Sequence, residues 1–428
     1  MLSRVWSLSA LVAALAACSG SSAADAPSTA PDAATAGDAS NASDASAPAS
    51  DAADAGSPPW TSPAAHPVMP HVVDFGGSVL AHPRVQPLVF AGDPFAADIA
   101  AFTAGIGKAS YWAAIGQEYG VGAIAGLPLA TAAEAAPAAV TDAQVQTWIN
   151  QKIAGGLVPA PDGETIYTVF YPAGTTVTSA AGTSCTSFYG YHGEGKTAAG
   201  APFVYAVLPR CHDAYHADLD NVTNSTSHEL IEASTNPYFA TAPAYARVDT
   251  DHYVWAISSG GSTEVGDMCA LVPGAGYLTP PDLPYAVQRM WSNAAAAASH
   301  DPCVPAPAGP YFNAAPVLPD TVTIDFGAQG KLTTQAVRIP VGQSRTIDVD
   351  LYSDGPTGPW KVEALDLATL EKKPAALGLQ LDRATGANGD VLHLTITPLQ
   401  TESYGIEAFY LGSGLAGRST LWVGLVSN

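Results

Sequence analysis

The chain has 428 residues, 47% hydrophobic and only 13% charged, with 40 Gly, 35 Pro and a formal charge of −22. That length exceeds one ordinary core and predicts two folded units plus tails. The acidic balance leaves no basic stripe for phosphates and no basic patch for a membrane surface, so it argues against nucleic acid as a partner.

Met1 to Arg4 is short and basic, Val5 to Ala14 is apolar, and small residues follow, which is the order of an export signal. The apolar run is too short to span a bilayer stably. It ends in Leu15-Ala16-Ala17-Cys18, which resembles a bacterial lipobox. The resemblance implies cleavage before Cys18 and diacylation of its thiol, so residues 1–18 read as a lipoprotein signal and only the lipid touches the membrane. Ser19 stands where aspartate is associated with inner-membrane retention, which points to the outer membrane or cell surface. Residues 19–65 are nearly all Ala, Ser, Asp, Pro, Gly and Thr, without Lys or Arg and with no large apolar residue before Trp60. This composition predicts a disordered, self-repelling tether.

The first folded unit is expected over residues 66–308. Val85 to Phe90 reads as a buried strand, turned by Ala91-Gly92-Asp93-Pro94 into a helical region over 95–119 that Gly105 and Gly107 interrupt. Thr141-Asp142 caps a second helix with Val145, Trp148, Ile149 and Ile153 on one face. Ile166 to Tyr171 and Phe203 to Leu208 are strands, each stopped by a proline. A helix through residue 228 ends at Asn236-Pro237, because the residue before a proline disfavours the helical region. Strands mixed with helices give an α+β or mixed α/β domain.

Beyond Pro310 the pattern alternates. Val322, Ile324 and Phe326, then Ile347, Val349 and Leu351, then Leu392, Leu394 and Ile396, are each separated by polar residues. Trp360 to Leu365, Ile406 to Leu411 and Thr420 to Val426 are further strands. Several short strands in this span predict an immunoglobulin-like β-sandwich over 312–428, read as an accessory or spacer module.

If Cys18 is lipidated, Cys185, Cys211, Cys269 and Cys303 remain, and an even number in an exported chain favours two disulfides. Three pairings are open, and neighbour pairing is preferred. A zinc site built from these cysteines is disfavoured, since no C-x-x-C occurs.

The chemistry concentrates in "NSTSHELIEASTNPYF", residues 224–239. His228-Glu229 followed by Glu232 is an H-E-x-x-E variant of the zinc-peptidase helix. Residues four apart share a helix face, so His228 and Glu232 can reach one ion. Glu229 stands about 100 degrees round the helix, where it would take a proton from water rather than bind the metal. "STEVGDMC", residues 262–269, offers Glu264 and Asp267 as further ligands. On its own this pattern also fits an ordinary amphipathic helix with acidic groups near its N-terminus.

"HELIEASTNP" and "EVGDMC" resemble the phosphate-induced protein 1 family, which includes the plant EXORDIUM-like proteins. Its members carry H-E-[LI]-x-E-x-x-[ST]-N-P followed by E-I-A-D-L-C. "QPLVFAG", "TIYTVFYPAG" with Cys185 and His192, and "MWSN" with Cys303 extend the likeness over roughly residues 84–305. The Cys185 to His192 interval is longer than the plant pattern, and the tether and C-terminal sandwich have no counterpart there. The resemblance implies an extracellular, zincin-like fold with a metal centre, but no substrate, since the plant members are known for promoting growth.

The expected function is therefore a surface lipoprotein with a zinc site formed by His228, Glu232 and Glu264, hydrolysing peptide or other acyl bonds with Glu229 as base. Asp267 is a fourth ligand or a partner of His228, and His192 is a cleft residue, as ligand or transition-state donor. The rival expectation is a non-catalytic envelope-binding protein stapled by a structural ion, for which Ca²⁺ suits an oxygen-rich shell. His212 and His216, with Asp213, Asp218 and Asp220, read as a loop, and His252 and His300 as surface residues.

Overall fold

The computed structural model describes residue 60 and residues 62–327, 330–401 and 403–428. The export signal, Cys18 and the tether as far as residue 59 lie outside the described residues.

The N-terminal part is built on a mixed sheet. Its strands are β1 (Arg84–Phe90), β2 (Thr165–Tyr171), β3 (Tyr191–Lys196) and β4 (Pro202–Pro209). Their order is β1-β2-β4-β3, with short strands beside β1; β1, β2 and β4 are parallel and β3 is antiparallel. Three helices frame this sheet: α1 (Ala96–Gly105), α2 (Asp142–Ala154) and α3 (Asp218–Thr235). Strand alternation sorts the core into two layers. Phe203, Tyr205 and Val207 join Val145 and Ile149 of α2, whereas Val204, Ala206 and Leu208 join Ile99, Phe102, Leu230 and Ile231 of α1 and α3. The sheet is covered on both faces, which suits its nearly continuous apolar strands.

The expected helical region from 95 breaks where glycine was its punctuation: α1 ends at Gly105, and a separate helix runs over Ser110–Gly116. Thr141 caps α2 through a reciprocal capping box with Gln144.

The C-terminal part is all-β apart from short helical turns. One sheet contains β5 (Phe312–Pro316), β8 (Arg345–Ser353), β11 (Val391–Pro398) and β10 (Leu377–Leu381), in that order. The other runs β6 (Asp320–Asp325), β7 (Lys331–Arg338), β13 (Arg418–Ser427), β12 (Ile406–Leu415) and β9 (Trp360–Asp366), with Thr385–Gly386 at its edge. The end of the expected tether is held against this part. Trp60 Nε1 donates to Ser353 O, Ala64 N donates to Asn388 Oδ1, and His66 stacks on Tyr352 at 3.7 Å between ring centres.

Two disulfides join Cys185 to Cys211 and Cys269 to Cys303, the neighbour pairing. Such bonds belong to oxidising, extracytoplasmic compartments. No helix among the described residues is long and apolar enough to cross a membrane.

Candidate metal centre

Helix α3 is unusual in being buried nearly all round while rich in Asn, Ser and Thr. Four of its hydroxyls donate to its own backbone: Thr226 to Val222 O, Ser227 to Asn224 O, Ser234 to Leu230 O and Thr235 to Ile231 O. Back-bonding of this kind lets a polar helix sit inside a protein. It carries His228, Glu229 and Glu232 against β4 and β3. Strand β3 supplies His192, opposite Ala206 on the α3 face of the sheet, while its neighbour Tyr191 points the other way to Asp142 of α2.

Five distances define the cluster. His228 Nε2 is 3.1 Å from Glu232 Oε2 and 3.7 Å from Asp267 Oδ1. His192 Nδ1 is 3.5 Å from Glu229 Oε2 and 3.8 Å from Glu232 Oε2. Glu264 approaches from the far side of His192, with Oε1 3.7 Å from Nε2. All five groups singled out around α3 and the 262–269 segment therefore converge, joined by His192. The third position beside His228 is filled by Asp267, while Glu264 stands by His192.

Backbone and side chains beyond the cluster hold it in place. Glu232 Oε1 accepts from the amides of Gly266 and Asp267, both at 3.1 Å. Gln288 Oε1 lies 3.1 Å from His228 Nδ1, and Gln288 Nε2 donates to Gly266 O at 2.7 Å. With Nδ1–H given to Gln288, Nε2 is the free nitrogen facing the carboxylates. Asn236 donates to Glu264 Oε1 at 2.6 Å and accepts from Ala244 N at 2.8 Å. A Cβ on Gly266 would lie 2.7 Å from both Glu232 Oε1 and His228 Nδ1, so only glycine allows this close approach. In the sequence Asn236 reads as a helix stop, and Gln288 has no local signature.

The charges are strongly coupled. Burial pushes His192 down, but Glu264, Glu229 and Glu232 outweigh it and raise its pKa to about 9. Burial likewise opposes the rise of His228, which Glu232, Glu229 and Asp267 hold well above the ordinary imidazole value. Burial and Glu232 raise Asp267 to about 7, and burial raises Glu264 well above the carboxylate range. Glu232 is lowered despite burial, by His228, His192 and the Asp267 amide. Three buried carboxylates and the half-buried Asp267 draw in whatever positive charge is at hand, which is the environment of a cation site.

The residues fit a metal. His192, Glu229 and Glu232 form one group, and His228, Glu232 and Asp267 another, with ligand atoms within 4.8 Å of one another in each. His192 Nε2 is buried and has no hydrogen-bond partner among the described residues. The donor set of imidazole and carboxylate suits zinc or a similar divalent ion.

The remaining histidines stay outside the cluster. His212 pairs with Asp218 at the surface, and His216 stacks on Tyr277 and contacts Asp213. His300 is exposed beside Asp354. His252, expected at the surface, is buried: Nδ1 sits 2.8 Å from Asp249 Oδ1, and Nε2 is 2.9 Å from Val68 O. Sequence offered no warning, because its partner Val68 is remote and its own turn reads as polar.

Compared with protein-family models and with curated proteins, the chain gives no match.

Proposed function

We propose that this chain is an extracytoplasmic lipoprotein, anchored through Cys18, whose N-terminal part is a zincin-like, zinc-dependent hydrolase of peptide or other acyl bonds. The C-terminal part is then an immunoglobulin-like sandwich that spaces or presents it. The observation that carries the reading is that one buried helix presents His228, Glu229 and Glu232, with Asp267 of the 262–269 segment closing on His228 and Glu232. The resemblance of "HELIEASTNP" and "EVGDMC" to the phosphate-induced protein 1 family supports it.

When bound, a divalent cation supplies Lewis acidity and lowers the pKa of water towards neutrality. The chain's own residues do the rest. Gln288 aims His228, and the Gly266 and Asp267 amides fix Glu232. His228 and Asp267 keep side-chain exposures of 16% and 20%, so the cluster opens to solvent on their side, as a catalytic site requires. Glu229 takes the proton of the attacking water and returns it to the leaving group. Strand β3 pairs on one side only among the described residues, and a free edge beside the cluster suits an extended peptide.

The test is a peptide-library screen of zinc-restored protein, with Glu229→Gln as the comparison. That variant should lose activity by roughly 10²- to 10⁴-fold without falling to zero metal. Undiminished activity in it would sink the mechanism. Anchoring is checked separately: Cys18→Ser should move the protein from the membrane fraction to the soluble one.

A second reading draws on the burial of Glu229 and Glu232, 5% and 3% exposed, which also suits a closed structural ion in a non-catalytic binding protein. Failure of the screen with metal present would select it.

A further inference from the structure

The cluster divides into two sets of ligands that share one carboxylate. His228 and Asp267 belong to one set, His192 and Glu229 to the other, and Glu232 to both. Ligands on one divalent first-row ion, at roughly 2.0–2.2 Å from it, lie no more than about 4.4 Å apart. Each set closes round an ion with small adjustments, and the two imidazoles fall in different sets.

Glu232 is built to bridge. Its Oε1 is occupied by two backbone amides, at 3.1 Å each. That leaves Oε2 facing both imidazoles, 3.1 Å from His228 Nε2 and 3.8 Å from His192 Nδ1.

An independent observation comes from His192. The residue is only 8% exposed, its Nε2 lacks any hydrogen-bond partner among the described residues, and its Nδ1 stands 3.5 and 3.8 Å from two carboxylate oxygens. These separations exceed ordinary hydrogen bonds and match two ligands on a shared ion. A buried imidazole aimed at carboxylates without bonding them calls for an explanation, and the single-ion reading gives it none. Charge argues the same way. Glu229, Glu232, Glu264 and Asp267 carry four negative charges when ionised, of which one divalent ion offsets two and a pair offsets all.

We propose that the centre holds two divalent cations, one at His228, Glu232 and Asp267 and a second at His192, Glu229 and Glu232, bridged by Glu232 Oε2. The proposal rests on the metal-site reading above and deepens it. One imidazole and two carboxylates at each position suit Zn²⁺ or Mn²⁺. Glu264, held by Asn236, stands 3.7 Å from the other nitrogen of His192, beyond hydrogen-bond reach. Glu229 meets the second ion through Oε2 and keeps Oε1, beside Gly190, for the proton. Paired ions roughly 3.5–4 Å apart stabilise both the attacking and the leaving atoms of a hydrolysis.

The test is metal analysis of full-length protein purified without chelator and then titrated with Zn²⁺ alone. Two equivalents per chain are expected, falling to one in His192→Ala and to one in His228→Ala. The Co²⁺-loaded wild type should show magnetic coupling between neighbouring ions, which needs no variant to fold. One equivalent in the wild type, unchanged by His192→Ala, would overturn the pair and leave the single-ion site standing. Two equivalents that persist in His192→Ala, or uncoupled Co²⁺ ions, would overturn the assignment of the second position. No bound zinc at all would remove both readings.

Discussion

His228 presents Nε2 to Glu232 and Asp267 because Gln288 claims Nδ1, and Gln288 is in turn fixed by Ser227 Oγ and Gly266 O. The H-E-x-x-E spacing made His228, Glu229 and Glu232 legible, since helix geometry alone puts the first and last on one face. Gln288 was illegible because it arrives by tertiary folding, 60 residues on. The same residues set a pH dependence whose sign follows from their environment. In ion-free protein Asp267 is raised from its ordinary 3.8 to about 7, and His192 from 6.5 to about 9. Groups raised in the folded state stabilise it fully below their unfolded pKa and lose that contribution as pH climbs through the folded value. Ion-free protein should therefore lose stability between about pH 4 and 9. Glu232 is lowered, so its contribution disappears only in acid, below that window. Metal ligands must shed protons to bind, so the stabilisation from zinc grows over the same range. Melting curves of chelated and zinc-loaded protein should diverge by a few degrees or more as pH rises. A gap independent of pH would show that these groups do not form the binding site.

At the scale of elements, periodicity carried most of the reading. Strands β8 and β11 alternate cleanly, with Ile347, Val349 and Leu351 and then Leu392, Leu394 and Ile396 buried. Strand β5, Phe312-Asn-Ala-Ala-Pro, was missed because all five residues are buried, which erases alternation. Helix α3 was located correctly by its proline stop, but its polar residues gave no hint of burial on every side, since back-bonding does not show in composition. Cysteine spacing likewise left the pairing open. The Cys269–Cys303 bond ties the short helix Asp267–Ala270, which brings Asp267 to the centre, to the strand at Cys303. Its loop of 34 residues predicts a stabilisation of about 3–4 kcal/mol. Cys269→Ser with Cys303→Ser should lower the melting temperature and weaken zinc binding together, by calorimetry and chelator competition. Zinc affinity unchanged in a destabilised variant would show that Asp267 is positioned without that staple.

For the molecule as a whole, the sequence suggests two units joined near residue 310, because the pattern turns there to short alternating strands. The packing does not stop. One apolar cluster continues from the N-terminal part into the β-sheets, and Met69, Trp255, Trp291, Tyr311, Leu421 and Trp422 meet around a cavity of about 10 Å³ at the seam. Thr334 Oγ1 donates to Asp251 O across it, and the helix Val254–Ser258 rests on β12 and β13. Such contacts escape sequence reading because each residue also fits the core of its own unit. They change what the isolated C-terminal part would do. A fragment of residues 310–428 returns Leu421 and Trp422 to water, at about 1.5–3 kcal/mol for each large apolar side chain fully re-exposed. It also loses the Trp60 hydrogen bond to Ser353 and the His66 stack on Tyr352. The fragment should retain a β-type circular dichroism spectrum, because its own sheets supply most of its pairing. It should melt well below the corresponding transition of the full chain and bind a hydrophobic dye that the full chain does not. Equal melting temperatures would mean that the seam is a contact without stabilising weight and that the two parts fold as independent units.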